Sequence, residues 1–191
     1  MAEALVLADP ESQTDTAIQI LDVAERLFAS KGIDKVSLRE IVRASGQSNL
    51  SAAHYHFGSR EALIGSLLAR RIRTINVLRH RRMDELEASG RGGNVYAIAS
   101  TSISVLGEVV KGTPWGPDYV RVVAQVLFGH HADVWHHLEP ATISGHTRVR
   151  DMLRRALPDL PPRVFKDRIW MLNNHGVYGI ARWVQTYGAV T

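Results

Sequence analysis

Cysteine is absent from the 191 residues. That excludes disulfides and thiolate zinc sites, and it fits a reducing cytosol. No apolar run approaches the roughly 18 residues needed to span a bilayer. Residues 1–15 hold Glu3, Asp9, Glu11 and Asp15 but neither lysine nor arginine. The basic stretch of a secretory leader is therefore missing, and a cytoplasmic location is expected. No alternation of apolar and polar residues suggests a strand, so the expected fold is all-α. No paired carboxylates, Ser-His-Asp order or phosphate-binding loop stands out. Neither catalytic residues nor a cofactor are expected, and the chain does not read as an enzyme.

Hydrophobic residues make up 45% of the chain, ample for a core, and charged residues an ordinary 22%. The net charge of +4 is unevenly spread. Arg70, Arg71, Arg73, Arg79, Arg81 and Arg82 crowd one span with His80 and no acid. Two readings fit that span: attraction to nucleic-acid phosphates, or a solvated helix face.

The most informative stretch is Ser37 to Leu63. Ser37 precedes Glu40 by three residues, the spacing of a capping box. Leu38, Ile41 and Val42 then recur at helical spacing, and Gly46 can take the positive φ of a sharp turn. Ser48 or Asn49 can cap a second helix that runs into His54-Tyr55-His56-Phe57. Gly58-Ser59 ends it, and Ser59 opens a third. Two short helices around a glycine turn match either a helix-turn-helix or a fragment of any small bundle.

The flanks fit the first of these. Residues 1–14 read as a mobile arm. A helix from Thr16 to about Lys31 places Ala17, Ile20, Leu21, Ala24, Leu27 and Phe28 on one face, and Gly32 follows it. Leu21, Leu27, Phe28, Leu38, Ile41, Val42, Ala53 and Phe57 would form a small shared core. From Ser59 a long helix is expected to about Ala88, broken by Ser89 to Gly93. Further helices are expected over about 94–111, from an Asp118 cap to about Phe128, over about 143–157, and over about 162–186. The expected division is an arm at 1–14, a helix-turn-helix domain at 15–60 and a second helical domain at 61–191.

The segments ILDVAERLFASKGIDKVSLREIVRASG (Ile20 to Gly46) and YHFGSREAL (Tyr55 to Leu63) resemble the TetR family of bacterial transcription regulators. The resemblance covers about residues 16–68. It implies an N-terminal three-helix DNA-binding domain, a C-terminal domain for ligand binding and dimerisation, and a homodimeric repressor. A small-molecule effector would release that repressor from a palindromic operator. An effector-independent DNA binder with a scaffold domain is the alternative. The family usually has tyrosine three residues before the phenylalanine, where it bonds a phosphate; here His54 holds that place and Tyr55 follows.

Short polar side chains at the start of a groove helix read base edges. Gln47, Ser48, Asn49 and Ser51 suit that role, and Ala52 can approach a thymine methyl. Ser37, Arg39, His54, Tyr55 and Arg60 are candidates for phosphate contacts, Arg60 by the resemblance. In the second domain, a pocket for an apolar or aromatic effector would draw on Tyr96, Trp115, Tyr119, Arg121, Gln125, Phe128, Trp170, Asn173, Asn174 and His175. Phe165, Ile169, Leu172, Gly176, Ile180 and Trp183 share a face of the last helix and are candidates for the dimer interface. His130, His131, His136 and His137 lack the one-turn i, i+4 spacing of a helical metal site, so no metal is expected. The sequence names neither operator nor effector, nor the direction of regulation.

Overall fold

The computed structural model describes residues 15–47 and 55–188. The expected arm, Ser48, Asn49, Ser51, Ala52, Ala53 and His54 lie outside the described residues. Helix α1 (Asp15–Lys31) leads through a 3-10 turn (Ile33–Lys35) to α2 (Leu38–Ala44). Residues 55–57 are helical, the described end of α3. The long α4 (Arg60–Ala88) follows, then α5 (Val95–Gly112) and α6 (Gly116–Phe128). Two 3-10 segments, Ala132–His137 and Pro140–Ile143, precede α7 (Ser144–Ala156) and α8 (Pro162–Tyr187). The protein is all-α, with no strand among the described residues.

Local chemistry sets most boundaries. Asn94 accepts a hydrogen bond from the Ala97 amide at 2.9 Å and caps α5. Asp118 does not cap α6, contrary to expectation. The helix begins at Gly116, because Pro117 in a first turn gives up no hydrogen bond there. Asp118 instead sits in that turn and pairs with Arg121 at 3.4 Å.

Two apolar cores lie along α4. The larger joins Ile20, Leu21 and Phe28 of α1, Ile41 of α2, Leu63 to Leu78 of α4, Val105 and Val109 of α5, the valines of α6, and Ala181 and Val184 of α8. The expected boundary at residue 60 therefore crosses a continuous core. The smaller gathers Met83, Leu86, Ala97, Ile98, Val149, Met152, Leu153 and Phe165 at the far end. Between the two, Asn76 and Arg79 put polar groups in the interior.

The basic span on α4 fits neither sequence reading. Arg70 and Arg71 reach Asp22 of α1, and Arg71 also holds Glu25. Arg82 pairs with Glu85 and Glu108, and Arg79 is buried. Most of this charge is internal wiring. Acids distant in sequence neutralise Arg70, Arg71 and Arg82, which a scan of the span alone does not reveal.

Candidate nucleic-acid interface and its coupling to the helical core

The reading head starts at Ser37. Its Oγ accepts from the Glu40 amide at 3.1 Å, the first arm of the capping box. Lys31 donates to the Glu40 carboxylate at 2.6 Å. That bond, aided by the Ser37 amide, holds the carboxyl below its usual range. At the other end of α2, Gly46 takes φ 75°, and the Gln47 amide donates to the Val42 carbonyl at 3.1 Å. Only a residue without Cβ closes such a turn cheaply.

Beyond the turn, Tyr55 is 86% exposed, while Phe57 packs against the larger core. His56 meets the edge of Tyr55 at 5.2 Å between ring centroids. Gly58 reverses the chain with φ 72°, and Ser59 caps α4 by accepting from the Ala62 amide at 3.0 Å. Ser37, Arg39 and Arg43 are exposed, and the last two share a face of α2 at i, i+4 spacing. Gln47 is half-buried. Arg60 is differently placed. Its half-buried guanidinium donates to the Ile33 carbonyl and lies 5.9 Å from the Phe28 ring centroid.

Two polar clamps tie this head to the rest of the molecule. The Gln125 side chain of α6 accepts from the Ile33 amide at 2.7 Å and donates to the Phe28 carbonyl at 3.0 Å. It thus grips the end of α1 and the start of the link to α2. The second clamp is Arg71 on Glu25. Nε lies 3.1 Å from both carboxylate oxygens, and Nη2 lies 2.5 Å from Oε2. Trp115 stacks on the same guanidinium at 4.4 Å. Burial pushes the Glu25 carboxyl up against the opposing pull of Arg71.

The expected effector residues are only partly brought together. Arg121, Gln125 and Phe128 share an open cleft of about 750 Å³ with Asp34, His131 and Tyr178. Trp115 borders a separate cleft beside Asp22 and Arg71. Asn173 lines a small interior cavity, and His175 a groove on α8. Tyr96 and Trp170 are 79% and 63% exposed. Asn174 is buried and donates to the Trp170 carbonyl at 2.8 Å. Tyr119 is fully enclosed, and burial pushes its phenol up to about 12.

The expected dimer stripe is partly covered by the chain itself, and Leu172, Gly176 and Ile180 of it also border an open groove. Phe165, Ile169 and Leu172 pack on the smaller core, Ile180 and Trp183 on the larger, and Gly176 nears Ile103 of α5. The outward face of α8 carries Val164, Met171, His175 and Tyr178 instead. Of the histidines, His131 lies 3.4 Å from Asp34, and His137 packs against Gly65 of α4.

Sequence reasoning missed Glu25, Arg71, Arg79 and His146. A signal for the first three exists. Glu25 sits on the stripe Leu21, Ala24, Phe28, and Arg71 and Arg79 fall on the i, i+4 series Leu67, Ile75, Met83. Charged residues on an apolar stripe announce buried charge.

Comparison with known proteins agrees with this geometry. Residues 20–67 match the family described as bacterial regulatory proteins, tetR family. The fold resembles that of the fatty acid degradation regulator FadR from Bacillus halodurans, with a TM-score of 0.58 at 13% identity. That match covers 92% of this chain and 88% of the other. An alanine-substituted HlyIIR mutant protein matches with a TM-score of 0.50 at 14% identity, covering 95% of this chain and 99% of the other. No curated protein matches the sequence.

Proposed function

We propose that this chain is a DNA-binding transcriptional regulator of the TetR family, whose model its residues 20–67 match, and that it acts as a homodimeric repressor released from a palindromic operator by a small molecule. The observation that carries the DNA-reading part is the capped α2, the positive-φ Gly46 turn and the exposed Tyr55 ahead of a capped α4. In this reading Gln47, Ser48, Asn49, Ser51 and Ala52 face base edges, while Ser37, Arg39, His54 and Tyr55 hold phosphates. Arg60 acts indirectly. By bonding the Ile33 carbonyl it fixes the link that presents Ser37. The two protomers pair through the outward face of α8, where Met171, His175 and Gly179 border an open groove of about 470 Å³.

Release follows from the clamps. Any ligand that shifts α4 against α6 moves Arg71 relative to Gln125 and so disturbs their joint grip on α1. A coupling of about 1–3 kcal/mol suffices for regulation. The second reading, a dimeric DNA binder with a scaffold domain only, draws on the dispersal of the expected pocket residues. Tryptophan fluorescence and melting scans against a compound panel separate the two.

Binding of DNA from the chain's own upstream region, followed by gel shift, tests the reading. Asn49→Ala is expected to weaken specific binding by about 1–3 kcal/mol and to change sequence preference. Arg39→Ala is expected to weaken all sequences alike and to flatten the salt dependence. Equal losses for Asn49→Ala on specific and random DNA would remove it from the base-reading set.

A further inference from the structure

Arg79 is 4% exposed, in the polar belt between the two cores. Nη1 donates to the Asn76 amide oxygen at 3.0 Å, and Nε has no partner. No carboxylate among the described residues forms an ion pair with it, unlike Arg70, Arg71, Arg82 and Arg148. Burial holds its pKa below the usual arginine range. An unpaired buried guanidinium is strongly unfavourable, so a fold that keeps one leaves room for a counter-ion. That room is present. Arg79 lines a cavity of about 40 Å³ with Ser102, His146 and Asn173 as further polar walls. Ile103, Leu106 and Leu172 complete it. The volume exceeds that of one water site and suits a carboxylate group. His146 is neutral here, its pKa pushed down to about 3 by burial and by Arg79, so it can donate one hydrogen bond without adding charge. The larger clefts are more open, and Arg121 in the first of them already has a carboxylate partner in Asp118.

We propose that Arg79 is the counter-ion for a carboxylate-bearing effector, whose head group enters this cavity and whose apolar body lodges between α5 and α8. The proposal rests on the reading of the chain as an effector-controlled regulator. Ser102 and Asn173 orient the carboxylate, and Ile103 and Leu172, which also border the open groove on α8, lead the apolar part out of the cavity.

The test uses the full chain and a series of monocarboxylates from acetate to octanoate, with benzoate, each beside its neutral amide. Thermal shift and tryptophan fluorescence report binding. At least one carboxylate should bind tenfold or more tightly than its amide, with the preference lost in Arg79→Met. Arg79→Met should also melt higher than wild type without ligand, since the unpaired charge is gone. Carboxylates and amides binding alike, no carboxylate binding, chloride matching the best carboxylate, or a preference that survives Arg79→Met would each overturn the assignment. Gel shift of the ligand-free wild type separates the two readings. A DNA complex with no carboxylate preference sinks only the anion site, whereas no complex at any sequence sinks the regulator reading.

Discussion

Arg71 and His146 show how single residues set the behaviour of the interior. The Arg71–Glu25 pair is almost fully enclosed, and removing one partner strands the other charge. Arg71→Met is therefore expected to cost about 3–5 kcal/mol in chemical denaturation, whereas the double change Arg71→Met with Glu25→Leu should recover most of it. A double variant as unstable as the single one would show that the pair itself supplies net stability. His146 predicts a pH dependence. Its folded-state pKa is pushed down to about 3, against an ordinary value of 6.5. Between these values the unfolded chain binds more protons, so stability is present above about 6.5 and is lost as pH falls. At pH 5 the loss from this group is about 1–2 kcal/mol. Denaturation of His146→Gln against wild type checks it. The variant should lose less on acidification, and parallel curves would refute the assignment.

At the scale of elements, contacts between helices decide what substitutions do. Gly145 lies where α7 crosses α4, and an added Cβ would collide with the Asn76 amide oxygen and stand 3.0 Å from Arg79 Cδ. Gly145→Ala is expected to push α7 outward and cost about 1–3 kcal/mol by thermal melting. Gln125→Leu removes both bonds to the α1 end. It should lower operator affinity in fluorescence anisotropy more than it lowers melting temperature. The helices themselves were legible in the sequence, because caps such as Ser37, Ser59 and Asn94 and stripes such as Leu63 to Leu78 act locally. Their interfaces were not. The stripe from Phe165 to Trp183 reads as a dimer face, yet one apolar stripe cannot say which partner covers it; here the chain's own helices cover part of it, while Leu172, Gly176 and Ile180 also border an open groove. Likewise Arg71 and Arg79 read as surface charge until the acids of α1, or their absence, came into view.

The whole molecule is a lever with its reading head and its core on one long helix. Helix α4 spans about 43 Å at 1.5 Å per residue. It carries Ser59 at the head, Arg71 under α1 and Arg79 in the central belt. Tyr119 of α6 lies within electrostatic reach of Arg79, Arg71 and Glu25 at once. On the proposed reading, this helix ends in a sequence-specific DNA-reading head that works in pairs. Selection of bound fragments from genomic DNA, with the mass of the complex measured on the best fragment, tests it most directly. The account predicts an inverted repeat bound by two protomers, with affinity falling steeply as salt rises. Fragments sharing no sequence, or a single protomer on an asymmetric site, would contradict it.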